Sequence, residues 1–154
     1  MKKFILMAVV AVFALTTASA QDQGKWGVGP KVGVYTHTGD DAIFSIGAAA
    51  RYSFTDNWRI EPAIAAIFED HCSVDISADV HYLFNVARQW KVYPLAGFGV
   101  NDFGSWSCSI NLGAGTDFTL NKHWDFSAGL KWMVQTESGR KNPILISVGA
   151  TYKF

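Results

Sequence analysis

The chain has 154 residues, enough for one domain, with 49% hydrophobic, 14% aromatic and only 17% charged side chains and no formal net charge. That balance offers no basic excess for a nucleic-acid surface, so no nucleic-acid partner is expected. Charge this sparse, beside six Trp and eleven Phe, is also unusual for a small water-soluble domain.

The first twenty residues read as an export signal. Lys2 and Lys3 lead, Phe4 to Leu15 form an apolar run, and Ala18-Ser19-Ala20 supplies a small-residue cleavage site. That run is too short to span a bilayer as a helix, and no later segment is apolar for long enough. No Cys follows the cleavage point directly, so a lipoprotein anchor is not expected. The expected division is therefore 1–20 as a signal peptide and 21–154 as one exported domain.

From Gln21 onward the chain alternates between apolar and small or polar residues, without a helical period. It predicts eight strands, at about 25–35, 42–54, 58–68, 73–85, 90–100, 108–120, 124–134 and 143–154. The first carries Trp26, Val28, Pro30, Val32 and Val34 on one face, and the second Phe44, Ile46, Ala48, Ala50, Tyr52 and Phe54. The third has Trp58, Ile60, Pro62, Ile64, Ala66 and Phe68, the fourth Val74, Ile76, Ala78, Val80, Tyr82 and Phe84. Trp90, Val92, Pro94, Ala96, Phe98 and Val100 mark the fifth. The seventh has Trp124, Phe126, Ala128, Leu130, Trp132 and Val134, and the eighth runs from Ile144 to Phe154. The apolar face is even-numbered throughout. Odd-length turns such as 55–57 and 121–123 keep that parity across antiparallel hairpins.

Every strand charge is odd-numbered, beginning with Lys25 and continuing through Lys31, Arg51, Arg59, Glu61, Asp75, Asp79, Lys91, Asp117, Asp125, Lys131 and Lys153. In a soluble lipocalin-like barrel the apolar face would turn inward. That arrangement would leave a charged, glycine-rich face in water and give the aromatics at strand ends no purpose. A transmembrane barrel turns its apolar face to lipid and keeps its polar face inside. Phe54 and Trp58, Phe84 and Trp90, Phe118 and Trp124, and finally Phe154 recur at one end of successive hairpins, as an interfacial aromatic girdle would. The short turns would then be periplasmic. The longer connections, near 36–41, 69–72, 101–107 and 135–142, would face outward.

With its export signal, eight amphipathic strands and a Thr151-Tyr152-Lys153-Phe154 ending, the chain resembles the small outer-membrane β-barrel superfamily. This is the OmpA transmembrane-domain and OmpX-like type, whose members are labelled outer membrane protein beta-barrel domain or porin family protein. The resemblance implies an all-β, eight-stranded, antiparallel up-and-down barrel in the outer membrane of a Gram-negative cell envelope. It also implies recognition of the Phe154 end by the barrel-assembly machinery, and contact with outer-membrane lipid and lipopolysaccharide. Because the chain stops at Phe154, the peptidoglycan tethering of full-length OmpA is not implied.

An eight-stranded barrel has room inside only for side chains. The odd charges from Lys31 to Lys153, with His81, Tyr35 and Tyr93, are therefore expected to form a paired lumen network, and inward glycines to make room for them. This favours a non-enzymatic, monomeric barrel with an envelope-structural or surface-interaction role over a small-solute channel. His71-Cys72-Ser73 is similar to the His-x-Ser of outer-membrane lipid A deacylases, in which a His activates a Ser, and Glu69 is placed to orient the His. The odd parity of His71 and Ser73 and the absence of the longer motif favour an ordinary polar loop. His37 with Asp40 and Asp41, or Glu69 with Asp70 and His71, lack a recognised ligand spacing, so neither metal nor cofactor is expected. An acidic rim of this kind would suit divalent cations bridging lipopolysaccharide phosphates, and the aromatics Phe103 and Trp106 would suit a surface partner. Finally, Cys72 and Cys108, expected near the same outer rim in an oxidising compartment, are predicted to form a disulfide over the barrel mouth.

Overall fold

The computed structural model describes residues 25–36, 42–68, 72–102, 105–137 and 139–154. Eight strands follow in chain order: β1 Lys25–Thr36, β2 Ile43–Ser53, β3 Trp58–Phe68, β4 Cys72–Tyr82, β5 Trp90–Asp102, β6 Trp106–Thr119, β7 Trp124–Gln135 and β8 Ile144–Lys153. Past Leu83, the pair Phe84–Asn85 carries β4 on against β5 in the same register. Each strand pairs antiparallel with the next, and β1 pairs with β8, so the sheet closes on itself. Closure removes both sheet edges, which is what lets strands cross a bilayer. Among the described residues no helix is long and apolar enough to do so.

The register fixes the barrel's shape. From Lys25 the hydrogen-bonded row runs through Ser53, Arg59, His81, Leu95, Gly113, Lys131 and Leu145, then returns to β1 at Tyr35. That return is ten residues above its start. With strands about 4.8 Å apart and a rise of about 3.3 Å per residue, this shear tilts them by about 41° around a radius of roughly 8 Å. At that tilt an eleven-residue strand such as β3 stands about 27 Å tall, enough for a membrane band of about 25 Å. An even shear also returns each row to the face it left, so parity survives the full circuit.

The exposed large apolar side chains all carry even numbers, from Trp26 to Phe154. The buried charged and polar ones all carry odd numbers, from Ser45 to Thr151. Among the described residues Ala66 is the one even residue to be buried, because its small side chain sits between larger neighbours on β2 and β4.

Local chemistry shapes the turns at the terminal end. Thr55 Oγ1 accepts from the Asn57 and Trp58 N–H groups, and Asn121 Oδ1 accepts from those of His123 and Trp124. These side chains substitute for the backbone bonds that the sharp reversal breaks. The chain end is tied to both neighbours: Phe154 N–H donates to Trp26 O at 3.0 Å, and Lys153 N–H to His123 O at 2.6 Å.

Candidate functional site

Among the described residues, six of the seven ion pairs lie in the lumen. At mid-height Glu61 accepts from Lys31 Nζ at 2.6 Å and from Arg51 Nε at 2.5 Å. Arg51 also reaches Asp117 at 3.3 Å, and Asp117 accepts from Arg59 Nη1 at 2.6 Å. Arg59 donates on to His81 Nδ1 and lies over the Tyr93 ring, which stacks on His81 at 4.5 Å. These groups come from β1, β2, β3, β4, β5 and β6, so the chain of contacts bridges the bore. Glu61 and Asp117 are each 1% exposed. A charge so buried needs a partner, because an unpaired one costs several kcal/mol.

A second cluster lies further along. Lys131 Nζ donates to Asp79 and Ser77 at 3.1 Å each, and Asn111 Nδ2 donates to Asp79 at 2.8 Å. Tyr35 OH donates to Asp75 at 2.9 Å. At the terminal end Lys153 pairs with Asp125 at 2.8 Å, with more water access. Lys91 stands in register with Asp117. Two glycines provide the space these groups need. A Cβ on Gly115 would lie 2.5 Å from the Tyr93 hydroxyl, and one on Gly97 would strike the Asp79 carboxylate.

The outer mouth is closed differently. Tyr35, Ile43, Ile67, Met133 and Leu145 form a buried apolar cluster inside the barrel. All are odd, and all lie close to the loop ends of their strands. The alternation of even apolar residues conceals them. The available signal was an odd-phase apolar residue next to three of the four longer connections, those near 36–41, 69–72 and 135–142. Above them Arg140 binds Glu137 at 2.7 Å and donates to the Ser105 carbonyl at 3.2 Å, clipping one rim loop to the next.

At the opposite end, the aromatic residues form the same three-ring cluster three times. Tyr52 lies between Trp26 and Phe54, Tyr82 between Trp58 and Phe84, and Tyr152 between Trp124 and Phe154, with centroids 4.7–5.3 Å apart. Trp90 and Phe118 pair at 5.0 Å. Phe118 is half-buried under this contact, whereas Phe54, Trp58, Phe84, Trp90, Trp124 and Phe154 are exposed.

Of the remaining candidates, the described residues are Ser73 and Trp106. Ser73 is buried, inside the wall. Glu69 and His71, like residues 1–20, His37, Asp40, Asp41, Asp70 and Phe103, lie outside the described residues. Trp106 is exposed at the start of β6. Among the described residues no group of His, Cys, Asp and Glu is arranged as metal ligands.

The expected Cys72–Cys108 disulfide is corrected by the structure, in which both thiols are free. Cys108 pairs with Val100, which pairs with Ile76, so Cys108 stands level with a residue four positions beyond Cys72 and two strands away. That geometry separates the Cα atoms by about 16 Å, whereas a bridge spans about 7 Å at most. Both residues are even, so their side chains lie on the outer wall and not over the mouth.

An apolar outer wall around a paired, charged interior inverts the rule for soluble proteins and defines a transmembrane β-barrel. Over residues 5–154 the chain matches the family described as Outer membrane protein beta-barrel domain. It belongs to that family, and its place is the outer membrane. Among solved structures it is similar to the N-terminal β-barrel domain of Pseudomonas aeruginosa OprF, with a TM-score of 0.68 and 17% identity, covering 86% of this chain and 100% of that one. Neisserial surface protein A gives a TM-score of 0.65 at 18% identity, covering 88% and 100%. Ail, the attachment invasion locus protein of Yersinia pestis, gives 0.58 at 18% identity, covering 85% and 97%. At such identities the likeness is one of fold. No relative among the curated proteins matches by sequence.

Proposed function

We propose that this protein is a non-enzymatic, monomeric outer-membrane barrel that acts through its wall and outer rim, in an envelope-structural or surface-interaction role. The carrying observation is the doubly filled lumen. The Lys31–Glu61–Arg51–Asp117–Arg59 chain crosses the bore, and the Tyr35, Ile43, Ile67, Met133 and Leu145 cluster covers the outer mouth. A hydrated solute would have to part buried ion pairs and then cross an apolar constriction, and each step opposes passage. A lipid-modifying enzyme would need its nucleophile against lipid, whereas Ser73 is inward and buried. By name, Ail is an attachment invasion locus protein and neisserial surface protein A is a surface protein. That agrees with the role proposed here. In this reading the even face meets outer-membrane lipid and lipopolysaccharide, and the Phe154 end is read by the barrel-assembly machinery.

Planar-bilayer recording of the purified barrel, with lipid A mass profiles of cells with and without it, tests the reading. No steady conductance and an unchanged lipid A profile are expected. A stable ion-selective current would move the function to a channel, and a lost acyl chain on lipid A would move it to an enzyme.

A further inference from the structure

The outer wall is not uniformly convex. A groove of about 500 Å³ runs across it, walled by Trp90, Phe118 and Phe126 and floored by Ala128, Ala150 and Pro30. Thr116 also lines it, but its hydroxyl already donates to Lys91 O at 3.0 Å, so the groove is apolar along its length.

The register gives its course. Trp90, Phe118, Phe126 and Ala150 share one row across β5 to β8. Pro30 falls opposite Ala150, between the Val28–Tyr152 and Lys31–Gly149 pairs. Trp90 is the first residue of β5, whereas Pro30 lies five residues beyond the start of β1. The groove therefore begins at the aromatic rim and climbs into the membrane band. Four strand spacings of about 4.8 Å at a slope of about 41° raise it by about 13 Å, one leaflet of a band about 25 Å tall.

Two cations stand at its lower end. Arg88 lies in the turn before Trp90 and Lys122 in the turn between Phe118 and Phe126; both are exposed, and neither is ion-paired among the described residues. The acidic residue of the described turns at this end, Asp56, lies in the β2–β3 turn across the barrel. We infer that the groove seats one acyl chain of a periplasmic-leaflet phospholipid whose anionic headgroup is held by Arg88 and Lys122. The small floor brings the chain close to the wall, the rings flank it, and the cations neutralise the phosphate at the height of the girdle.

Native mass spectrometry of the full barrel, released from vesicles of equal phosphatidylglycerol and phosphatidylcholine, tests this. The barrel is expected to retain one phospholipid, with phosphatidylglycerol favoured by about fivefold, as a net headgroup charge beside surface cations provides. Filling the floor with Ala128→Leu and Ala150→Leu, side chains that lipid tolerates, should abolish retention. Arg88→Gln with Lys122→Gln should keep one lipid and lose the headgroup preference. Heat-modifiable gel migration reports folding of each variant; if the double Leu variant does not fold, Ala128→Leu alone is read in the same way. No retained lipid in the unsubstituted barrel, retention unchanged by the filled floor, or a preference that survives loss of both cations would overturn the inference. A dimer mass without lipid, lost on filling the floor, would also overturn it and assign the groove to a second copy of the chain.

Discussion

Replacing Asp117 with Ala removes a carboxylate, 1% exposed, that binds Arg51 at 3.3 Å and Arg59 at 2.6 Å. Arg51 keeps Glu61 at 2.5 Å, so its charge stays compensated. Arg59 keeps only the neutral acceptor His81 Nδ1 and the Tyr93 face among the contacts described above. Stripping one partner from a buried pair costs about 3–5 kcal/mol, mostly through the charge left behind. Asp125 provides the contrast. Its partner Lys153 has a side chain 23% exposed at the terminal mouth, so Asp125→Ala should cost about 1 kcal/mol or less once water screens the remaining charge. Reversible urea unfolding in phospholipid vesicles, followed by Trp fluorescence, measures both. Equal losses for the two variants would mean that water reaches Arg59, and the account of a filled lumen would fail.

Three further outcomes follow from the same geometry. Leu130→Arg, on the outer wall midway along β7, should cost about 2–4 kcal/mol in the same assay, against about 0–1 kcal/mol for Leu120→Arg at the rim; equal costs would deny the membrane its place around the even face. Gly115→Val should cost about 1–3 kcal/mol by driving Tyr93 off His81, whereas Gly129→Ala, whose added Cβ meets nothing closer than 3.7 Å, should be nearly neutral. Maleimide labelling of denatured, unreduced protein from the outer membrane should find two free thiols per chain, and none would restore the disulfide.

The eight strands and the inward set from Lys31 to Lys153 were legible because a two-residue period records face directly. Closure adds information that no single strand carries. Which carboxylate meets which cation depends on the ten-residue shear, and this is why the pairing of Arg51 with Glu61 and of Arg59 with Asp117 could not be read from parity. The apolar cluster was hidden for another reason. Ile43, Ile67, Met133 and Leu145 break the odd-polar rule only at the outer ends of their strands, where loop and strand look alike in sequence. The cysteines show parity set aside in favour of proximity to the rim. Their even numbers already placed Cys72 and Cys108 on the lipid side, where thiols behave as small apolar groups. The triple Trp–Tyr–Phe cluster was half visible, since its Phe and Trp positions recur along the chain, while Tyr52, Tyr82 and Tyr152 bind them together only once neighbouring hairpins pack.

The even face meets lipid and the odd face lines a filled lumen. Nitroxide scanning along β7, from Asp125 to Val134 in a Cys72→Ala, Cys108→Ala background and in bilayers, tests this residue by residue. Oxygen accessibility should alternate with a period of two, high at Phe126, Ala128, Leu130 and Trp132 and low at Ser127, Gly129, Lys131 and Met133. Maxima on the odd residues, or no alternation at all, would contradict it.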